Sequence, residues 1–258
     1  LESDKLFGSV VPFYVLQIYY RQGRSEEVLE YGSLLLQKDF AESKSGEIHR
    51  MMGEAYYNLG RFAEAVPEME IAISDLGGNR DDRYKLAYAS YRGGDFTKAV
   101  NYFQQVTDEQ DELTQLAFYH LGDCYLKLDQ KMEARSAFRS ASKFAFDPEI
   151  QEDALFNFAK TAYELSYDPY NEAVQAFEEY IDKNPNSLRV DEAYEFLLQV
   201  YLTTKNYESA INAIDKIKQK TELQKATYQR ICYVRGTELF HDLRFKNAVH
   251  YLKRSDKY

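Results

Sequence analysis

Leu121-Gly122-Asp123-Cys124-Tyr125-Leu126-Lys127-Leu128 is followed by the polar triplet Asp129-Gln130-Lys131 and then by Met132-Glu133-Ala134-Arg135-Ser136-Ala137-Phe138-Arg139-Ser140-Ala141. Before the triplet, Ala117, Leu121, Cys124, Tyr125 and Leu128 recur at i, i+4, i+7, i+8 and i+11. After it, Ala134, Ala137, Phe138 and Ala141 recur at i, i+3, i+4 and i+7. Each half therefore carries one apolar stripe at the helical period, and the polar corner between them predicts a helix hairpin. Gly122 and Ala134 are small where the two helices must touch, and Tyr125 and Phe138 fill the space beside them.

The hairpin is one of a series. Aligning the small residue of each second helix gives Val28, Ala65, Ala99, Ala134, Ala173, Ala210 and Ala248, separated by 37, 34, 35, 39, 37 and 38 residues. This predicts a single array of seven helix pairs, with repeats at about 9–45, 46–79, 80–114, 115–151, 152–190, 191–228 and 229–258. Gly77-Gly78-Asn79 supplies residues that stop a helix, and Pro67 falls early in the second helix of its pair, where a missing N–H costs least. A lengthened corner is expected at Ser166-Tyr167-Asp168-Pro169, and Asn184-Pro185-Asn186-Ser187 closes the fifth unit. The last helix is expected to run on to the end of the chain at Tyr258, and an opening Leu1-Glu2-Ser3 without Met reads as part of a longer chain.

The order Leu-Gly, aromatic, Ala, Phe, Ala across Leu121 to Ala141 closely resembles the tetratricopeptide repeat (TPR). The resemblance implies an all-α fold, a right-handed α-α superhelix or TPR solenoid of about seven helix-turn-helix repeats in which each unit packs on its neighbours. From Asp153 to Tyr201 the wording is more particular, with Glu172-Ala173-Val174, Phe177, Tyr180-Ile181, Asn184-Pro185-Asn186-Ser187 and Asp191-Glu192-Ala193-Tyr194. It is similar to TPR units of bacterial cell-envelope proteins of the outer-membrane assembly lipoprotein and Tol-Pal accessory types. That likeness implies a periplasmic or outer-membrane-associated setting, with the cytoplasm as the alternative.

Composition narrows the function. Apolar residues make up 45% of the 258 residues and aromatics 15%, with 23 Tyr and no Trp, so the chain has enough apolar surface to fold. Twelve Gly and five Pro are too few for a many-stranded β fold. A net charge of −10 without a basic cluster argues against nucleic acid as partner. No apolar run reaches the roughly 20 residues that span a bilayer, so direct membrane insertion is not expected. Cys124 and Cys232 fall on core-side helical positions and read as small hydrophobes too far apart for a disulfide. His49, His120, His241 and His250 never pair at i, i+4, and no nucleophile, base and oxyanion donors gather, so we expect no metal, no cofactor, no catalytic residues and no enzyme activity.

The inner face is informative. At about 100° per residue, positions two, five, nine, twelve and thirteen of each first helix form one stripe beside the core-facing one, which in the TPR family lines the concave groove. Eleven of these 35 positions are aromatic, twice the share in the whole chain, where a wetted stripe should be poorer than average. The candidate partner-binding residues are Tyr57, Tyr84, Tyr88, Tyr91, Arg92, Tyr119, Asp123, Lys127, Phe156, Lys160 and Tyr163, since Tyr and Arg are frequent interface anchors. The plain alternative is that these rings pack against the next repeat while their hydroxyls stay wet. No unit carries the Lys/Asn pair at positions five and nine with which family members clamp chaperone carboxylate tails. The expected function is thus a non-catalytic scaffold that binds a peptide or protein segment in a Tyr-rich groove. The alternatives are a glycan or cell-wall module, favoured by flat aromatic platforms, and a regulatory array for an enzyme domain elsewhere. The last helix presents Phe245, Ala248, Val249 and Leu252, which predicts extension or end-to-end self-association.

Overall fold

The computed structural model describes residues 10–38, 43–165 and 171–257, so the expected corner at 166–169 lies outside the described residues. Fourteen α-helices and no strand occur among the described residues. They follow one another as seven pairs: α1 Val11–Arg21 with α2 Ser25–Leu35, α3 Ser45–Asn58 with α4 Phe62–Leu76, α5 Arg80–Arg92 with α6 Phe96–Phe103, α7 Glu112–Lys127 with α8 Lys131–Ala141, α9 Pro148–Glu164 with α10 Asn171–Lys183, α11 Val190–Thr203 with α12 Tyr207–Lys216, and α13 Glu222–His241 with α14 Phe245–Arg254. The helices group into two compact units, one ending at Asp147 and holding α1–α8, the other beginning at Pro148 and holding α9–α14.

The corners explain why the helices break where they do. Gly23, Gly60 and Gly94 adopt left-handed backbone at the turns, and Asp129, Lys205 and Leu243 take the same region with φ of 57°, 56° and 59°. After each, the chain bonds back into the helix it has left: Asp95 N donates to Ser90 O at 2.9 Å, Gln130 N to Tyr125 O at 2.8 Å and Arg244 N to Leu239 O at 2.8 Å. These bonds satisfy carbonyls that a helix end leaves open. Between pairs, Gly77 (φ 72°) ends α4, and Asn79 then caps α5, its side chain accepting from Asp82 N while Asp82 accepts from Asn79 N.

In three of the pairs a side chain of the second helix sits on a glycine of the first. A Cβ on Gly122 would lie 2.6 Å from the Phe138 ring, one on Gly53 2.9 Å from Met69 and one on Gly236 2.7 Å from Leu252. The separation in sequence is 16 residues each time, so three pairs seat a large side chain of the second helix in the same notch. Gly122 thus makes room for the Phe138 ring, where the sequence suggested backbone approach opposite Ala134. Around these notches Ala99, Phe103, Leu121 and Cys124 are buried in the first unit and Leu198, Ala210, Ile214 and Cys232 in the second. Full burial of each Leu or Phe stabilises by about 1.5–3 kcal/mol. Both cysteines are free and buried, as small hydrophobes should be.

Three details differ from the sequence reading. Helix α14 ends at Arg254 rather than running to Tyr258, with Ser255 Oγ donating to Leu252 O at 2.6 Å. Ala248 is buried and Leu252 sits on Gly236, so of the four residues expected on the outer side of that helix only Phe245 and Val249 are exposed. Phe156, expected in the groove, is fully buried.

Candidate partner-binding surface

Helix α5 carries the densest part of the expected stripe. An arginine holds this helix in place. The Arg80 guanidinium donates from Nη1 to Asp111 Oδ2 at 2.6 Å, and from Nη2 to Asp111 Oδ1 at 3.1 Å, Val106 O at 2.7 Å and Thr114 Oγ1 at 2.7 Å. Its Nε lies 3.2 Å from Asp108 Oδ1 at an angle that gives an ion pair but no hydrogen bond. The start of α5 is thereby tied to the start of α7, and the hydrogen bond from Arg80 holds the Asp111 carboxyl well below the usual carboxylate range.

On this frame Tyr84, Tyr88 and Tyr91 project at i, i+4 and i+7, each half-buried. Tyr84 stacks on Tyr88 at 6.4 Å between ring centres, Tyr57 of α3 meets Tyr88 at 6.2 Å, and Phe62 of α4 meets it edge-on at 6.2 Å. His120 of α7 lies among the same rings, 5.4 Å from Tyr88, Tyr91 and Phe103. Its Nδ1 is buried with no hydrogen-bond partner, and burial pulls its pKa down to about 4, the nearby Asp123 charge opposing in part. Tyr119 packs edge-on against His120 at 5.5 Å and Phe138 at 6.0 Å. The rings therefore fill the joint between successive pairs, yet none of these tyrosines is closed off from solvent.

The polar ends complete the patch. The Tyr91 hydroxyl donates to Asp123, and burial followed by that bond drives its pKa upward. Arg92 is exposed at the end of α5; its Nη1 donates to the Tyr88 hydroxyl at 3.0 Å, and its guanidinium stands 4.9 Å from the Phe62 ring centre. Lys127 is exposed at the end of α7. Tyr57, Tyr84, Tyr88, Tyr91, Arg92, Tyr119 and Asp123 are thus linked by direct contacts in the first unit.

The other three expected residues belong to the second unit. Phe156 is core, its ring 5.1 Å from Tyr180 and 6.0 Å from Phe177, with the Arg189 guanidinium 3.4 Å above it. Arg189 is fixed there by Asp153, Nη1 to Oδ1 at 2.5 Å, so no face of this ring is left for a partner. Lys160 and Tyr163 are half-buried, Tyr163 edge-on to Phe196 at 5.2 Å. His120, Phe62 and Arg80 did not stand out in the sequence. The one signal for Arg80 was its place beside the Asn79 cap, and for Phe62 its place after the Gly60 corner. Among the described residues no group of acidic, His or Cys side chains could hold a metal ion, and no helix is long and apolar enough to cross a membrane.

Repeated helix hairpins, each packed on the next within its unit, define a helical solenoid. A model of the family described as anaphase-promoting complex, cyclosome, subunit 3 matches residues 68–141, and a tetratricopeptide-repeat model matches residues 153–187. None of the curated proteins matches the chain in sequence. Among solved structures, YrrB, a TPR protein with an unusual peptide-binding site, is similar over 77% of this chain and 92% of its own, at 20% identity and a TM-score of 0.52. Two structures of MamA are similar over 68% and 80% of this chain and 91% and 98% of their own, at 18% and 17% identity and TM-scores of 0.53 and 0.51. The chain carries repeats of the tetratricopeptide type, its fold class is the α-α superhelix, and protein interaction is the general role that these repeats support.

Proposed function

We propose that the chain is a non-catalytic scaffold that binds an extended peptide or protein segment across α5 and α7 of the first unit. The observation that carries this is the linked patch of half-buried tyrosines rimmed by Arg92, Asp123 and Lys127. Rings held by their neighbours lose little freedom when a partner covers them, which is what makes Tyr an effective anchor. Charges of both signs at the rim would fix the direction of the bound segment. YrrB offers a parallel as a TPR protein with a peptide-binding site. The glycan alternative draws less support, because apart from Tyr84 on Tyr88 these tyrosine rings meet tilted or edge-on instead of forming a flat platform. Placement in the bacterial envelope rests on the resemblance of residues 153–201 alone.

A photo-crosslinking amino acid tests the reading when placed at Tyr88, at Arg92 and, as an outer-surface control, at the exposed Met132 of α8. Crosslinks from 88 and 92 to one and the same segment of a partner, absent from 132, are the expected result. Crosslinks confined to 132 would overturn it.

A further inference from the structure

Beside the tyrosine patch, α3, α4 and α5 enclose a cleft of about 190 Å³. Its floor is apolar, formed by Met69, Ile73 and Leu76 of α4. Its walls carry two acids and two bases, Glu54 and Arg50 from α3 and Asp82 and Lys85 from α5. These charges cancel, but each acid is hydrogen-bonded within the protein and neither base is. Glu54 accepts the hydroxyl of Tyr20. Asp82 accepts from Asn79 N at 3.1 Å and closes the cap of α5. Arg50 and Lys85 are both exposed, and neither has a hydrogen bond or ion pair among the described residues. The formal charge of the lining is zero, but Arg50 and Lys85 are two cations without a bonded partner beside an apolar floor, and so are available to bond an incoming carboxylate.

We infer that this cleft is a recognition subsite for an internal peptide segment in which a bulky apolar residue stands next to Asp or Glu. The apolar side chain fills the floor, and the carboxylate bridges Arg50 and Lys85, where partial enclosure makes each charged hydrogen bond stronger than in open water. Lys85 follows Tyr84 directly and lies one helical turn before Tyr88, so a segment crossing the tyrosine patch continues into the cleft without a break. That continuity favours a side-chain carboxylate over a chain terminus. The assignment rests on the peptide-binding reading above and adds the partner's chemistry to it.

The test is selection of a random dodecapeptide library, displayed with the peptide's C-terminal end fused to the phage, on the folded chain. Enriched sequences are then made as amidated synthetic peptides and measured by fluorescence anisotropy. The assignment predicts a shared pair of one bulky apolar and one acidic residue. It also predicts binding weakened about tenfold or more by the double variant Arg50→Ala/Lys85→Ala, and weakened by added salt. Since both side chains are exposed and unpaired, the variant's unfolding midpoint should match the parent's, which separates lost binding from lost folding. Enriched peptides that lack the pair, or that bind the double variant normally while losing affinity for Arg92→Ala/Lys127→Ala, would overturn the cleft and leave the tyrosine patch standing. Peptides that bind only as free acids would overturn the internal-segment assignment. Failure to enrich any sequence would overturn both readings.

Discussion

The Tyr91 hydroxyl donates to the carboxylate of Asp123 on the next helix pair, and Tyr20 makes the same bond to Glu54. In each case a tyrosine one residue before the end of one first helix reaches an acid about one turn before the end of the next. The bond orients the phenol ring along the joint between pairs, and in the first unit it helps to hold the ring cluster that forms the proposed anchor. Tyr91→Phe should therefore cost about 1–2 kcal/mol of stability, and a double-mutant cycle with Asp123→Asn should return a coupling of about 1 kcal/mol. Additive effects in chemical denaturation would show that the bond contributes nothing.

Gly122 is the notch for Phe138, and any Cβ there meets the ring at 2.6 Å. Gly122→Ala should cost about 1–3 kcal/mol by overpacking, and hydrogen exchange should loosen first in α7 and α8. Pairing it with Phe138→Leu should recover part of the loss. Uniform loosening from α1 to α8 would contradict nearest-neighbour packing.

Leu243 is 74% exposed and held at φ 59°, where a branched side chain is strained. The equivalent corners at Gly23, Gly60 and Gly94 carry glycine. Leu243→Gly should raise stability by up to about 1 kcal/mol, the relief of strain exceeding the entropy a glycine adds to the unfolded chain. A lower unfolding midpoint would mean that the leucine side chain contributes more than the strain costs.

His120 gives the first unit a specific pH response. Its folded pKa of about 4 lies below the ordinary value of 6.5, so the unfolded chain binds the proton more readily. Stability from this group is fully present above about pH 6.5 and is lost as pH falls from there towards 4, by an amount on the order of 1–3 kcal/mol. Asp111 shifts downward from its ordinary value of 3.8, so its contribution is lost only at still lower pH. Comparing unfolding midpoints of the wild type and His120→Phe across pH 4–7 isolates the histidine: the difference should change over this range, and parallel curves would contradict it.

Much of the fold was legible because a helix pair writes its own period. The stripes around Leu121 and Phe138 and the corner glycines at 60 and 94 announce seven hairpins. Asp129, Lys205 and Leu243 take the same backbone region without any residue that requires it, so those corners could be placed only by their flanks. The site was less legible, because its contacts join residues of different pairs. The angular position of Tyr88 on α5 marked it as groove-facing, but Tyr57, Phe62 and His120, which bury half of it, come from three other helices. Phe156 has on α9 the place that Tyr84 has on α5 and is closed over by Arg189, an event no single helix records. An exposed tyrosine would cost only about 0.5 kcal/mol on truncation. Tyr88 and Tyr91 are packed, so replacing them with alanine should lower stability whether or not they bind.

Arg92 and Lys127 avoid that ambiguity, being exposed at the ends of α5 and α7. The most direct test of the scaffold reading takes the partner segment crosslinked at position 88, as a synthetic peptide, and measures its affinity for the wild type, Arg92→Glu and Lys127→Glu beside their unfolding midpoints. Binding across the first-unit patch predicts a loss of about tenfold or more in each variant at nearly unchanged midpoints. Undiminished affinity in both variants would contradict it.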